Sequence, residues 1–485
     1  MKKHLLAAVL ISLALLPELA SAKFIGPDPP KGCPTCGCSC TGAPSRSVPS
    51  ETSSCVSATE GNLTETVPVS TVQSTLDLSF VYNSYNADGS RAIVDTVMGY
   101  GWTHSYNIFL FSQAGLTFRY DGNGRVTRYG LGPAGTYVAA TGYFETLAPS
   151  GGGFTITQKD ETVYNFAQIP GTPFLVSGPV YRLTSIVDRN NNTTTLTYSA
   201  GNLIKVTDTY GRTLTFSYNA QNKLASVTDP LGRVTTVQYD STGHKLTQIT
   251  DPLNKSIQYT YNTFYQPTGK IDKAGRIFSY TYTSGFPGLP VAVKDGAGSA
   301  NATLSNPSNW GTSATQLALY LQRVYTPSTT INTDGRGNAW KYQYDSNGYI
   351  MQTTAPDAAA TKYTYDPATL QVATMTDANG NTTNYLYDAE GNRTQTTDAL
   401  GHVTTYTYEP VFNMMTSMTD PRGRVTTYTY DAHGNRVKET DPLGQTRSWT
   451  YNSNGNVLTD TDKNGHTTTN QYDAFGDRIK ITDPL

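Results

Sequence analysis

Charge is scarce in this chain, long apolar runs are all but missing, and cysteine is confined to one short stretch. Asp, Glu, Lys and Arg together make up 15% of the 485 residues, with a formal net charge of -2. That balance points to neither nucleic acid nor an anionic membrane surface as a partner. Beyond Leu16 no apolar segment approaches the roughly 20 residues needed to span a bilayer, so no transmembrane segment is expected once the leader is removed. The nucleophile elbow GxSxG, the zinc helix HExxH and the Walker loop are all absent. Histidine occurs six times: His244, His402, His433 and His466 lie in or beside apparent turns, and His104 follows Gly101-Trp102. These absences predict a protein without catalytic residues, cofactor or metal.

What is present begins with a leader. Lys2 and Lys3 precede an apolar run from Leu5 to Leu16, and Ala20-Ser21-Ala22 supplies a small-x-small cleavage site. The run is too short for an anchor, so residues 1–22 read as a signal peptide. The product is expected outside the cytoplasm, whether periplasmic, on the cell surface or extracellular. All five cysteines, Cys33, Cys36, Cys38, Cys40 and Cys55, follow within a Pro-, Gly- and Ser-rich stretch taken as a linker over 23–60. Export favours disulfides among them. The CxxC spacing of Cys33 and Cys36 leaves zinc as the competing reading, but no second pair stands at a zinc-module distance.

Tyr occurs 34 times and Gly 43 times, beside abundant Thr, Asn and Asp. That mixture suits short strands joined by tight turns. Over 61–180 alternation begins: Leu76, Leu78, Phe80 and Tyr82 take every second position, the pattern of a half-buried strand. From Asp188 the chain repeats itself. Turn aspartates recur at 188, 208, 229, 251, 272 and 295, then at 334, 357, 377, 398, 420, 441, 462 and 483; all but one spacing lies between 20 and 23 residues. The exception spans 296–333, an insertion whose segment ATQLALYLQRVY could hold a short helix.

One copy runs DPRGRVTTYTYDAHGNRVKET from Asp420. Asp and Pro open a turn, Gly relieves its exit, and RVTTYTYD alternates so that Tyr428 and Tyr430 share a face. A second turn and a short return strand complete a β-hairpin. The structural turn positions are then Asp229, Gly232, Asp251, Asp377, Gly380, Asp398, Gly401, Asp420, Gly423, Asp441 and Gly444. A ladder of strand-end tyrosines includes Tyr239, Tyr261, Tyr344, Tyr387, Tyr408, Tyr430, Tyr451 and Tyr472. A lone hairpin is marginal in water, so the copies should merge into one long antiparallel strip that curls as sheets twist. The expected fold class is all-β: tandem hairpins in a spiralling sheet or open shell, preceded by a smaller β-rich domain.

DPLGRVTT at 229, YDAEGNRTQTTDALGHVTTYTY from 387 and YDAHGNRVKETDPLG from 430 resemble the YD repeats of the RHS family, which includes bacterial polymorphic toxins, insecticidal toxin-complex shells and, more distantly, animal teneurins. The likeness covers 181–485. Residues 61–128, with LDLSFVYNSYN and GYGWTHSYNIFLF, are similar to the uncharacterised domain that often precedes such repeats. The resemblance implies a secreted, non-catalytic shell, part of a larger protein that encloses or displays a C-terminal effector. Two departures stand out: the family's terminal core segment is missing, the sequence stopping inside a new turn at Asp483, and a secretory leader differs from effectors loaded inside the cell. The alternative is a cell-surface adhesin or carbohydrate-binding repeat protein, with tyrosine faces stacking on sugars. Repeated aspartates could also gather Ca²⁺, but the calcium nonapeptide is absent and turn capping accounts for them.

Overall fold

The structure, a computed structural model, describes residues 38–40, 53–57, 63–70, 76–84, 96–113, 115–132, 136–169, 179–282, 290–295, 300–305, 328–333, 338–345 and 349–484. It is all-β, with thirty-nine strands, β1 to β39 in chain order, and no α-helix among the described residues.

The period-2 pattern and the turns dictate the local unit. β34 (Val425–Tyr430) and β35 (Arg436–Thr440) form an antiparallel hairpin in which Thr427 faces Thr440, Tyr428 faces Glu439 and Thr429 faces Lys438. The register then slips by one residue, so that Tyr430 faces Arg436. The same slip accompanies the strand-end tyrosine at Tyr218, Tyr239, Tyr387, Tyr451 and Tyr472. Each slip is a β-bulge, which bends its strand and sharpens the right-handed twist. Repeated once per hairpin, it curls the whole strip.

Two sheets result. A five-stranded antiparallel sheet runs from β1 (Cys38–Cys40) through β2 (Ser53–Ser57), β3 (Leu63–Ser70) and β4 (Leu78–Asn83) to β5 (Trp102–His104). Every strand from β6 (Phe109–Gln113) to β39 (Arg478–Thr482) belongs to a single 34-stranded sheet. That sheet forks at β13 (Val180–Val187). One side of β13 pairs with β12 (Val163–Gln168); the other pairs first with β6, Val180 opposite Phe111, then with β14 (Thr193–Ser199), Val187 opposite Thr193. Within 296–333, β24 (Ala300–Ser305) and β25 (Ser328–Thr333) pair with each other and continue the ladder. The expected short helix there lies outside the described residues.

The core lies between the small sheet and the first stretch of repeats. Leu76, Leu78, Phe80, Tyr82, Met98 and Trp102 pack against Leu214, Phe216, Leu224, Val227, Leu246, Ile249, Ile257 and Tyr259, all buried. At about 1.5–3 kcal/mol per buried large side chain, this contact dominates the stability of the N-terminal half. Sequence alternation predicts one solvated face for the strand around Phe80. Instead almost all of β4 is buried, because the sheet that carries it lies inside the concave side of the curl.

The curl brings distant turns together. The turn after β13, residues 188–192, meets the turns at 431–435 and 452–456: Asn435 Nδ2 donates to Asn190 Oδ1 (2.7 Å), Asn192 Nδ2 to the Asn454 carbonyl (3.0 Å) and Asn454 Nδ2 to Asn192 Oδ1 (2.8 Å). The next turn, at 208–212, meets 456–477 through Asn456 Nδ2 and the Tyr210 hydroxyl (3.0 Å) and through Arg212 and Asp477 (3.5 Å). From β14 to β35 the ladder advances twenty-one strands. At about 4.8 Å per strand, that is a circuit of about 100 Å, or a curl roughly 30 Å across.

Candidate functional site

No cluster of three or more His, Cys, Asp or Glu poised to hold a metal occurs among the described residues. The recurring structural site is a clip made of two turns and a tyrosine, and it is built from backbone demands.

At the turn opening each repeat, the aspartate closes the chain. Asp229 Oδ1 accepts from Leu231 N and Arg233 N (each 2.9 Å), and its Oδ2 accepts from Arg233 Nε (2.6 Å). Gly232 takes φ +76°, a left-handed conformation that costs an ordinary residue. The same pair of backbone bonds holds Asp251, Asp377, Asp398, Asp420 and Asp441. Gly380, Gly401, Gly423 and Gly444 occupy the left-handed position, and Asn254 takes it after Asp251. Donors keep four of the carboxyls below the usual aspartate range: the Asn381 amide leads at Asp377, the His402 N–H at Asp398, the Arg424 guanidinium at Asp420 and the Lys463 ammonium at Asp441. Each of these six carboxylates closes its own turn through Oδ1.

The strand-end tyrosines do something the spacing alone does not reveal. Seven of the eight hydroxyls donate to the carbonyl fifteen residues earlier, at the start of the preceding return strand: Tyr239 to Leu224, Tyr261 to Leu246, Tyr387 to Val372, Tyr408 to Arg393, Tyr430 to Met415, Tyr451 to Arg436 and Tyr472 to Val457. Distances run from 2.6 Å at Tyr261 to 2.9 Å at Tyr472. Each hairpin is thereby bolted to the one before it. Burial pushes the Tyr239 and Tyr261 hydroxyls well up, which keeps them protonated as donors. Tyr344 is buried at the end of β26 (Ala339–Tyr344), opposite Ile350.

Two rows of turns edge the strip, and they are not equivalent. Turns at 188–192 and 208–212 belong to the row opened by the repeat aspartates; those at 431–435, 452–456 and 473–477 follow the strand-end tyrosines. One row seats on the other. A Cβ on Gly455 would lie 2.5 Å from Asn190 Nδ2, and one on Gly476 would overlap the Tyr210 ring, whereas a Cβ on Gly380, Gly401, Gly423 or Gly444 would meet open space. Asn190, Asn192 and Tyr210 are therefore seam residues. The run RNNN after Asp188 is the only sequence signal they leave.

Cys33 and Cys36 lie outside the described residues. Cys38, Cys40 and Cys55 lie in paired strands, with Cys40 directly opposite Cys55 in the register. His402, His433 and His466 sit at turns; His104 is buried beside the Phe216 ring.

The RHS Repeat family profile matches residues 182–213, 218–245, 239–277, 365–403, 387–424, 412–446 and 451–485. Among curated proteins, the tRNA3(Ser)-specific nuclease WapA of Bacillus spizizenii is 27% identical over 267 residues, which is 46% of this chain and 11% of that protein. The tRNA nuclease WapA of Bacillus subtilis is 28% identical over the same length, with the same coverage. The match thus spans a small part of these relatives' length. Among solved structures, a crystal structure of TcdB2-TccC3-TEV aligns over 87% of this chain and 26% of that one, at 12% identity and a TM-score of 0.43. TcdB2-TccC3 without its hypervariable C-terminal region aligns over 87% and 24%, at 14% identity and the same TM-score. The strand ladder itself, not these distant alignments, carries the fold.

Proposed function

We propose, from the premise that this chain is an RHS-repeat protein with repeats between residues 182 and 485, that it forms part of the wall of an exported β-shell enclosing or displaying an effector encoded after the repeats. The observation that carries this reading is the seam. A strip whose opposite edges lock onto each other surrounds a space, whereas an adhesive platform would leave its edges apart. The inner sheet fills that space along the first repeats. Further on, the same concave face carries Tyr385, Tyr406 and Tyr428, which stay only half-buried. The residues act as a scaffold, the turn aspartates closing the turns and the strand-end tyrosines clipping neighbouring hairpins together.

Residues 1–22 would direct export, 23–60 would link, and 61–180 would close one end of the wall formed by 181–485. An oxidising compartment suits the register of Cys40 against Cys55: antiparallel partners lie about 4.5–5.5 Å apart at Cα, within the disulfide range. The test is protease protection of the native exported product, with its C-terminus mapped by mass spectrometry. Enclosure predicts a folded or unfolded segment beyond residue 485 that resists protease until the wall is unfolded. A product ending at Leu485 overturns the shell reading and favours the adhesin, whereas a tail digested at once overturns enclosure in favour of display.

A further inference from the structure

A buried carboxyl and a buried amine meet where the inner sheet touches the repeats, and neither the turns nor the clips use them. Glu65 on β3 is 2% exposed and Lys270 on β21 (Pro267–Ile271) is 3% exposed. Lys270 Nζ lies 3.2 Å from Glu65 Oε1. The Tyr259 hydroxyl, on β20 (Ser256–Tyr261), donates to the same oxygen at 2.6 Å, and the Tyr280 hydroxyl, on β22 (Ile277–Tyr282), approaches Oε2 at 3.5 Å. The Phe278 ring lies 4.7 Å from the ammonium, and Trp102 packs edge-on against Tyr259 at 5.1 Å. An aromatic cage excludes water from an acid and an amine held rigidly in contact by strands of two sheets.

From this geometry we infer that Glu65 and Lys270 are a self-modification site, condensing to an isopeptide bond that staples the inner sheet to the repeat wall. A proton passes from the Lys270 ammonium to the Glu65 carboxylate, leaving a neutral amine and a neutral acid. The amine lone pair attacks Cδ, forming the C–N bond. The Cδ–O bond to the departing oxygen then breaks, and that oxygen leaves as water, carrying the transferred proton and a second one from nitrogen. Ammonium plus carboxylate thus becomes amide plus water, with no oxidant, reductant or external reagent.

Two features drive the step. Holding the reacting groups together is worth effective molarities of about 10⁵–10⁸ M in well-oriented intramolecular reactions. Tyr259, which donates to Glu65 Oε1, stands where a hydrogen-bond donor stabilises the tetrahedral oxygen; burial raises its hydroxyl well above the usual range, so it stays protonated as that donor. The staple would join residues 205 positions apart in the chain. It holds whether or not an effector is enclosed.

The test is the intact mass of the unfolded, reduced full chain, followed by a peptide map. The expected result is a mass lower by one water and a branched peptide joining the segments that contain Glu65 and Lys270. Lys270→Arg keeps the charge but cannot condense, so it should show the full mass and separate peptides. A wild-type chain of full mass, or a lost water that maps elsewhere, overturns the inference.

Discussion

Replacing Gly455 by Ala perturbs the seam, and Gly444→Ala is its matched control. Both glycines sit at the left-handed position of a four-residue turn, at φ +79° and +80°. A Cβ there costs about 1–2 kcal/mol in either turn, since the strain is local. The surroundings differ. At Gly455 the new methyl would lie 2.5 Å from Asn190 Nδ2 and 2.8 Å from its Cγ, while at Gly444 nothing stands within 4 Å. Asn190 would have to swing away, straining the contact and breaking the 2.7 Å bond from Asn435. Overpacking of this kind adds about 1–3 kcal/mol, and the lost hydrogen bond about 1 kcal/mol. Urea unfolding followed by tyrosine fluorescence should therefore place the Gly455→Ala midpoint clearly below that of Gly444→Ala. Equal midpoints would refute the seam, because the two turns then share the same surroundings.

Three further outcomes follow from the same geometry. Tyr430→Phe keeps the ring but loses the 2.6 Å bond to the Met415 carbonyl, so it should lower stability by about 1 kcal/mol with the strand content unchanged by circular dichroism. Asp420→Ala removes two backbone bonds and the Arg424 contact from an exposed turn, so it should loosen that turn locally, detectable as faster amide exchange in residues 420–424. His104 is held neutral by burial first and by the Arg182 charge second, its pKa lowered to about 3. The unfolded chain takes up that proton below about pH 6.5 and the folded chain does not, so stability is full above that pH and falls towards pH 3 by up to about 5 kcal/mol. His104→Gln should flatten this part of the melting-temperature profile; an unchanged slope would remove His104 as its source.

The fold class could be read from the sequence because its cause is local. Alternation around Tyr428 and Tyr430, and turn residues every 20 to 23 positions, fix hairpins before any long-range contact forms. The recurrence of Asp420 and Tyr430 was legible too, but not the reach of the hydroxyl to a carbonyl fifteen residues back, which depends on the register slip at Tyr430. The seam was illegible for a different reason. Asn190 and Asn435 are 245 residues apart, and what joins them is the summed twist of some twenty strands, bulged once per hairpin. Glu65 likewise reads as one acid in an alternating strand until the curl closes around it.

If the strip turns back on itself so that its two turn rows meet, a photo-crosslinking amino acid at position 210 will capture the opposite row. Tyr210 lies against Gly476 and accepts from Asn456. Irradiation of the monomeric chain should yield intramolecular adducts in peptides covering 452–477. Adducts confined to the neighbouring turns at 188–192 and 229–233 would contradict the curl.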